Sequence, residues 1–530
     1  MKQKWYKQIG LIFAIALITG GILLNLVSCN AKTGDNTADN NTDTEKPTEI
    51  TEVIPPEIIE KVFVEGEPYP LDTFEQSIVS VVQSDTVKNA EDLTQDDITL
   101  LVKQAIEYAG GLDGIVKDGD VVVLKPNLVT GSDYTLPGWQ GKRLAVEVNG
   151  NCTDYRFVRA VAIAVREINP TGKIYVIEGS AQDTEIVMKQ LNYTTENIPE
   201  VDAFYALEDI SGKWQEKDAA ELVKVNLTDG YLHKEYYVNR MIYEADAFIC
   251  LPLMKNHWNA CITGSIKNIG IGSTPSSIYG TDENSNGRNN MVNHDNMDLH
   301  NWIADFYTCR PADFTITDAL QGIEYGPTPC YDLAGITDIK DAQMNMRMVL
   351  AGKDAVAVDT VESQIMNWDP NTVGYLTQLE KRGLGNVDTT KIIVTGNRTI
   401  SEVRTDFENT KPSAGGIMVE DLTPPEAPSA EAVFTDANTL TITHGGNTSD
   451  AVKLEFYLDG ILKAVYCESD IKSFNYDVSN VPYEVAVYTP KDGTTVTVDS
   501  SALTAGEHEL TVASYDKYMN RSETIINITK

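Results

Sequence analysis

The sequence predicts an α/β domain with a mainly parallel sheet flanked by helices, followed by a smaller β-sandwich. Two observations carry this prediction. Between residues 94 and 400, short β-branched runs alternate with helical patterns, which is typical of strand–helix–strand units. After the proline-rich stretch "EDLTPPEAPSA", the pattern changes to short alternating strands for the rest of the 530-residue chain.

The first predicted elements have clear end signals. "TQDDITLLVKQAIEYAGG" opens with Thr94, has an acid three residues later and closes on two glycines, which predicts a capped helix. "DVVVLKPNLV" predicts a buried strand, and "TDYRFVRAVAIAVREINP" predicts a helix capped by Thr153 and stopped before Pro170. Asp354 is predicted to be the N-cap of "AVAVDTVES". Further strands are predicted at "KIYVIEGS", "AFICLPLMK", "DFTITD", "MRMVLAG" and "KIIVTG", and further helices at "MDLHNWIADFYT" and "DAVAVDTVESQIM".

Two regions interrupt the alternation. Residues 221–243 predict a pair of antiparallel strands around "TDG". Residues 273–296 show no periodicity, and a loop of that length inside a compact domain is often functional, so we expect a lid there. In the C-terminal part, Asp459-Gly460 in "VKLEFYLDGILKAVY" predicts a hairpin turn.

The N-terminus predicts export and a lipid anchor. Three lysines precede an apolar run over residues 9–27 that ends in "LVSC", as in a secretory signal. "LVSC" also resembles the bacterial lipobox, which implies that Cys29 is lipidated and becomes the mature N-terminus. An uncleaved membrane helix is the alternative. The predicted divisions are a signal peptide (1–28), a disordered spacer (29–60), an α/β domain (61–420) and a β-sandwich (428–530).

Charge and cysteine spacing exclude two classes of function. The formal net charge is -36, and removal of the three signal lysines, with no acid among residues 1–28, makes it -39. Such a surface repels phosphate backbones, so no nucleic-acid partner is expected. No two of the seven cysteines stand in a C-x-x-C arrangement, so no iron–sulfur cluster is expected.

Polar side chains follow the predicted strands at one rim. Because ligands of an open parallel sheet bind beyond the carboxyl ends of its strands, we interpret this rim as a site for a small anionic ligand. The predicted catalytic residues are His257, Lys267 and Lys125, and the predicted substrate-binding residues are Asn127, Lys255, Asn268, Glu178 and Asp318. Gly264 is expected to turn the chain so that Lys267 and Asn268 approach His257.

A divalent metal at this rim is an alternative to metal-free chemistry. The candidate ligands are His257, His300 and His294, with Asp305 or Asp318. Their spacing matches no diagnostic metal motif, and His300 and Asp305 are five residues apart, slightly more than one helical turn. The cofactor is therefore left open.

Five ordered motifs resemble the DUF362 family, a domain of unknown function. They are "VVVLKPNLV", "LPLMKNHWNACITGSIKNIGIG", "LHNWIADF", "FTITDALQGIEYGPTP" and "MVLAGKDAVAVDTV", and the resemblance covers residues 90–400. It implies an α/β domain and no established reaction. The ending "LTAGEHELTVASYDKYMN" resembles bacterial immunoglobulin-like surface domains, in which His508 would be structural. His257, Gly264 and Lys267 are also similar in order to a motif of nickel-pincer lactate racemases, which bears on geometry only.

Together these observations predict a lipoprotein of the bacterial cell envelope, anchored outside the cytoplasm. Its α/β domain is expected to bind an anionic small molecule and to transform it by lysine and histidine acid–base chemistry. The alternative is a non-catalytic surface protein for ligand binding or adhesion, which the lipid anchor and the sandwich suit equally well.

Overall fold

The computed structural model describes residues 66–69, 74–129, 150–180, 183–207, 222–279, 298–329, 334–409, 416–445, 450–467, 483–490 and 494–530. The chain divides into two compact units, Met1–Glu57 and Ile58–Lys530, and every described residue lies in the second. The predicted signal peptide, Cys29, the spacer up to residue 60 and His294 lie outside the described residues, as does most of the predicted lid. Within the described ranges, none of the helices has the length and apolar character needed to span a bilayer.

The α/β part contains thirteen strands and ten α-helices among its described residues. The strands are β1 (Ser77–Gln83), β2 (Val121–Pro126), β3 (Lys173–Glu178), β4 (Ala203–Ala206), β5 (Leu222–Asn226), β6 (Glu235–Asn239), β7 (Ala247–Leu251), β8 (Leu253–His257), β9 (Cys261–Ile262), β10 (Phe314–Ile323), β11 (Gln343–Met344), β12 (Met348–Gly352) and β13 (Ile392–Gly396). The helices are α1 (Gln95–Tyr108), α2 (Tyr155–Ile168), α3 (Thr184–Gln190), α4 (Arg240–Tyr243), α5 (Gly264–Gly272), α6 (Ser276–Tyr279), α7 (Asp298–Cys309), α8 (Ala355–Ile365), α9 (Gly374–Lys381) and α10 (Ile400–Val403).

The central sheet is largely parallel, as predicted. Its order is β13-β1-β12-β10-β7-β2-β3-β4, and β12 alone runs antiparallel to its neighbours along this path. From β2 the chain moves outward through β3 and β4, and then returns to place β7 on the other side of β2. The strand order therefore reverses between β2 and β7, which is where α/β sheets open a ligand crevice.

The two faces of the sheet bury separate hydrophobic clusters. In β2, Val122 and Leu124 join the cluster under α1 and α2, whereas Val123 joins the cluster under α5, α7 and α8. This alternation follows from the two-residue period of a strand, and a strand covered on both faces is expected to be apolar throughout.

The structure confirms several predicted ends and corrects others. Thr94 and Asp97 form the predicted capping box of α1, and Asp354 caps α8. Helix α2 is capped by Asp154, so the prediction of Thr153 is wrong. The Thr153 hydroxyl is engaged elsewhere, because it accepts the Asn127 N–H (2.9 Å) and donates to the Leu251 carbonyl (3.0 Å).

Two predicted strands have different bounds. "AFICLPLMK" is divided at Pro252 into β7 and β8, since proline cannot donate to the ladder. Strand β10 continues beyond Asp318 to Ile323 and pairs first with β7 and then with β8. The antiparallel strand pair predicted at residues 221–243 is present as β5 and β6, which form a separate two-stranded sheet.

The C-terminal part consists of two sheets. Its strands are β14 (Ser429–Phe434), β15 (Thr439–Gly445), β16 (Lys453–Leu458), β17 (Ile461–Cys467), β18 (Tyr483–Pro490), β19 (Thr495–Asp499), β20 (Glu507–Tyr515) and β21 (Arg521–Thr529). The orders are β14-β15-β19 and β18-β17-β16-β20-β21, and all pairs except β17–β18 are antiparallel. Asp459 and Gly460 both have positive φ, which confirms the predicted hairpin turn.

This part also contacts the α/β part. The Lys453 ammonium donates to the Ile392 carbonyl (2.8 Å), and the Arg404 guanidinium donates to the Tyr518 carbonyl and the Asn520 side chain. Whether residues 428–530 fold alone stays a prediction.

Candidate functional site

The point between β2 and β7 at which the strand order reverses, called the switch point below, holds a buried cluster around Lys125. Its ammonium donates to the Glu178 carboxylate, to the Pro126 carbonyl (2.8 Å) and to Asn268 Oδ1 (3.1 Å). A lysine ammonium has three N–H donors, so these acceptors satisfy all of them. Lys125 is fully buried and the Glu178 side chain nearly so, which makes this an internal ion pair.

Three elements bring this cluster together. Lys125 and Glu178 stand at the carboxyl ends of the paired parallel strands β2 and β3, and Asn268 comes from helix α5 above them. Gly272 ends α5 next to the ion pair, where a Cβ atom would lie 2.7 Å from Lys125 Nζ. Glycine at this position therefore permits the close approach of α5 to the sheet.

Two asparagines, Asn127 of the cluster and Asn151, have buried side-chain polar atoms without a described hydrogen-bond partner. Asn127 donates through Nδ2 to Asn268 Oδ1 (3.0 Å), but its own Oδ1 has no hydrogen-bond partner among the described residues. Both side-chain amide atoms of Asn151 are likewise buried without a described partner. Buried amide atoms left in this way are costly unless they bind something, so they are candidate ligand contacts.

Lys255 is a second buried lysine near the cluster. It is fully buried, and within the described part of the chain its ammonium donates only to the Asn151 carbonyl (2.7 Å). Burial lowers the pKa of Lys255 to about 8, while the negative charge of Glu178 acts in the opposite direction. Lys255 therefore holds its proton weakly at physiological pH.

His257 ends β8, and Lys267 lies on α5. The His257 Nδ1 accepts the backbone N–H groups of Asn259 and Ala260 (both 3.2 Å), so the proton of the neutral ring belongs on Nε2. Lys267 is 8% exposed. Gly264 has the expected positive φ of 50°, and it is the first residue of helix α5. On this helix, Asn268 contacts Lys125 and Asn127.

Asp359, which the sequence did not identify, caps α5. Its carboxylate accepts the backbone N–H groups of Ser265 (2.7 Å) and Ile266 (2.9 Å). A Cβ atom on Gly264 would lie 2.5 Å from this carboxylate, which explains the glycine. Asp359 thus fixes the helix that carries Asn268 into the cluster.

Asp318 lies within β10, not at its end. It accepts the backbone N–H groups of Asp154 (2.9 Å) and Leu320 (3.1 Å). Burial raises the pKa of Asp318 to about 7, with a further contribution from the charge of Asp154. No described hydrogen bond joins Asp318 to the Lys125 cluster.

The described residues that were predicted as metal ligands are not grouped around a metal site. His300 Nδ1 accepts the Tyr375 N–H (3.3 Å) and its ring stacks on Tyr375. Asp305 accepts four donors from the backbone of Tyr231 and Leu232 and the side chains of Tyr236 and Arg382. Across the described ranges, no three histidine, cysteine, aspartate or glutamate side chains are grouped to hold a metal ion.

The structure thus brings four of the predicted residues into one hydrogen-bonded cluster: Lys125, Asn127, Glu178 and Asn268. The sequence-based prediction missed Gly272, which stands beside this cluster, and Asn151, whose carbonyl accepts the Lys255 ammonium. Polar residues before the α2 cap in "NGNCTD" and the spacing "GIGS" were the available signals, and both are weak.

The fold and this cluster define the class, an α/β domain with a buried lysine–carboxylate pair at the switch point of its sheet. Residues 122–364 match the family described as "Domain of unknown function (DUF362)", so this segment is a DUF362 domain, as predicted. The match is narrower than the predicted extent of residues 90–400, and it includes the whole cluster. No curated protein matches the chain.

Two solved structures are distantly similar to the chain. The lactate racemase apoprotein from Thermoanaerobacterium thermosaccharolyticum is 11% identical, with a TM-score of 0.30 over 55% of this chain and 58% of that protein's length. The spore cortex lytic enzyme SleM of Clostridium perfringens is 7% identical, with a TM-score of 0.17 over 82% of this chain and 76% of that one. TM-scores this low say nothing about the activity of this chain.

Proposed function

We propose that the α/β domain is an enzyme that binds a small anionic molecule at the switch point and transforms it by acid–base chemistry. The observation that carries the proposal is Lys255, a fully buried lysine whose pKa is lowered to about 8. Lysines with such a pKa are suited to proton transfer near neutral pH, and strongly shifted groups concentrate at functional sites.

The local charge supports an anionic ligand. Lys125, Lys255 and Lys267 are buried at or near this edge, and the one described carboxylate in the cluster, Glu178, is paired with Lys125. These three buried lysines occur in a chain with a net charge of -36. Buried ammonium groups bind carboxylate or phosphate as point charges.

The contacts suggest a division of roles. Lys125 has all its donors engaged, so we assign it a positioning role, in which it holds Asn268 and Glu178. The Lys255 ammonium makes one described hydrogen bond, which leaves N–H donors for a ligand. The side-chain amide atoms of Asn127 and Asn151 that have no described partner can bind polar groups of the ligand. His257 and Lys267 keep the acid–base and anion-binding roles that the sequence predicts.

The proposed chemistry is proton abstraction and return. Near pH 8 about half of the Lys255 side chains are neutral amines. Such an amine takes a proton from the bound anion, and the resulting ammonium balances the negative charge that develops. His257, with its proton on Nε2, is a donor for the opposite transfer.

A ligand screen with matched variants tests this proposal. Small carboxylates and phosphates are tested for a rise in melting temperature of the parent, and responsive compounds are then tested for turnover. Lys255→Met should stay folded and lose both responses. Lys453→Met removes a buried lysine outside the site and should lower the melting temperature without abolishing the ligand response. A Lys255→Met protein that still responds like the parent would refute the role of Lys255.

His257 and Lys267 have their own test. Lys267→Ala should leave the melting temperature nearly unchanged and lose ligand binding or turnover. His257→Ala should also lose the ligand response, and its melting temperature should fall because two backbone N–H groups lose their acceptor. Two destabilised variants that respond to ligand like the parent would instead indicate structural roles.

A non-catalytic surface receptor is the second candidate, and the C-terminal sheets favour it. We propose that they form an immunoglobulin-like sandwich. The three-stranded sheet β14-β15-β19 and the five-stranded sheet contribute apolar side chains to one hydrophobic cluster, which includes Ile442, Val496, Phe456 and Leu510. The isolated fragment 428–530 should then give a β-type circular dichroism spectrum and unfold cooperatively. An unfolded fragment would reject an independent domain.

We also propose that the chain is an exported lipoprotein, anchored by Cys29. The support is the apolar run that ends in "LVSC". Cys29→Ala should release or mislocalise the protein in cell fractionation. Retention of that variant in the membrane with its signal uncleaved would favour a membrane helix instead.

A further inference from the structure

Helix α8 buries two carboxylates on one side, apart from the Lys125 cluster. Asp359 and Glu362 are three residues apart, so they lie on one helix face, and both are fully buried. Neither forms an ion pair with a lysine, arginine or histidine of the described chain. Two negative charges in such a place are very costly unless something neutralises them.

The energetic cost of burying a negative charge is larger for Glu362 than for Asp359. Neither of its carboxylate oxygens has a hydrogen-bond partner among the described residues. Burial, together with the charge of Asp359, raises the pKa of Glu362. A protonated Glu362 would still leave one donor and one acceptor without a described partner, so protonation alone does not satisfy the group.

Two hydroxyl groups from other elements face this pair. Ser265 of α5 donates its backbone N–H to Asp359 (2.7 Å), and Thr317 lies on β10, which packs against α8. In agreement with this placement, Ser265 lowers the pKa of Asp359 and Thr317 lowers that of Glu362, each against the larger effect of burial. Both side chains are fully buried, and their hydroxyls lack the geometry of a hydrogen bond to any described residue. Each Asp359 oxygen accepts one backbone N–H and retains a second lone-pair direction.

We propose that Glu362, Asp359, Thr317 and Ser265 hold a hard divalent cation, Ca²⁺ or Mg²⁺. All donors are oxygens, the ligand type that these ions prefer, and the two carboxylates balance the charge of a divalent ion. Because the donors come from α8, α5 and β10, the ion would tie the start of α5 to its neighbours. This site shares no residue with the histidine candidates and does not depend on the proposed enzyme function.

The test uses the purified full chain. The protein is stripped with a chelator, dialysed and analysed for bound metal after addition of CaCl₂ or MgCl₂. We expect one ion per chain and a saturable rise in melting temperature on readdition of at least one of the two ions. Glu362→Gln should lose both the ion and the response.

Three further variants make the result decisive. Glu455→Gln removes a buried carboxylate of the C-terminal part and should keep the ion and its effect. Thr317→Val, which removes one oxygen, should weaken apparent ion affinity at least tenfold, and Thr317→Ser should restore it. Absence of bound ion and of any shift, with Glu362→Gln as stable as the parent or more stable, would overturn the proposal and show a protonated carboxyl pair.

Discussion

Two buried lysines near the same sheet edge have very different surroundings. Lys125 donates to three acceptors, one of them the Glu178 carboxylate, whereas Lys255 has a single described acceptor, the Asn151 carbonyl. Both are fully buried, so burial alone does not separate them. A partner of opposite charge makes Lys125 part of the scaffold, whereas Lys255, with no such partner among the described residues, is poised to lose a proton.

The same comparison extends to the strands that carry them. Lys125 precedes a proline at the end of β2 and faces the end of β3, where Glu178 stands. Lys255 lies inside β8, which follows Pro252 and pairs with the far part of β10. The Lys125 ammonium therefore contacts the Glu178 carboxylate at the end of the neighbouring strand, whereas the Lys255 ammonium contacts the Asn151 carbonyl in the segment before α2.

Removal of Lys125 should have the largest effect. Lys125→Met leaves Glu178 buried without its cation, and loss of one partner of a buried ion pair typically costs about 3–5 kcal/mol. Urea unfolding should show this loss. The double variant Lys125→Met/Glu178→Gln should recover part of it, and no recovery would mean that the ion pair is not the source.

Crowding of the same ion pair should cost less. In Gly272→Ala the new Cβ would lie 2.7 Å from Lys125 Nζ, so the free energy of unfolding should fall by about 1–3 kcal/mol. The cost should shrink in a Lys125→Met background, because the crowded atom is then altered. If Gly272→Ala lowers the free energy of unfolding equally in the parent and in Lys125→Met, the strain lies elsewhere in α5.

Lys255→Met should behave in the opposite sense. Because burial disfavours the Lys255 ammonium, its removal should leave the free energy of unfolding unchanged or raise it by about 1–2 kcal/mol at pH 7. Urea unfolding beside Lys125→Met makes the comparison direct. A loss as large as that of Lys125→Met would mean that Lys255 is also a scaffold lysine.

The pH dependence of stability gives the finest distinction. The folded state releases the Lys255 proton near pH 8 and the unfolded state near 10.5, so the unfolded chain holds more protons in between. Stability from this group therefore rises with pH, by about 1 kcal/mol between pH 8 and 9. The parent minus Lys255→Met difference should show this rise, and a flat difference would contradict the lowered pKa.

Features that depend on local chemistry or on strand ends were predictable from the amino-acid sequence. The capping box at Thr94 and the Asp459-Gly460 turn are local, since a side chain or a positive φ acts within a few residues. Lys125 and Glu178 were also predictable as neighbours at one edge, because they end consecutive buried strands of a parallel sheet.

The hydrogen-bond partners of the buried polar residues, by contrast, depend on how distant segments pack. Thr153 was expected to cap α2, but its hydroxyl joins β2 to β7 and Asp154 takes the cap. Asp359 caps α5 by accepting the N–H of Ser265, which lies 94 residues earlier in the chain, and no local pattern predicts such a contact. The sequences around Lys125 and Lys255 look alike as polar strand ends, and the acceptors that distinguish them arrive from distant segments. Their proximity depends on packing of the whole domain, which is why the roles of the two lysines could not be separated before the fold was known.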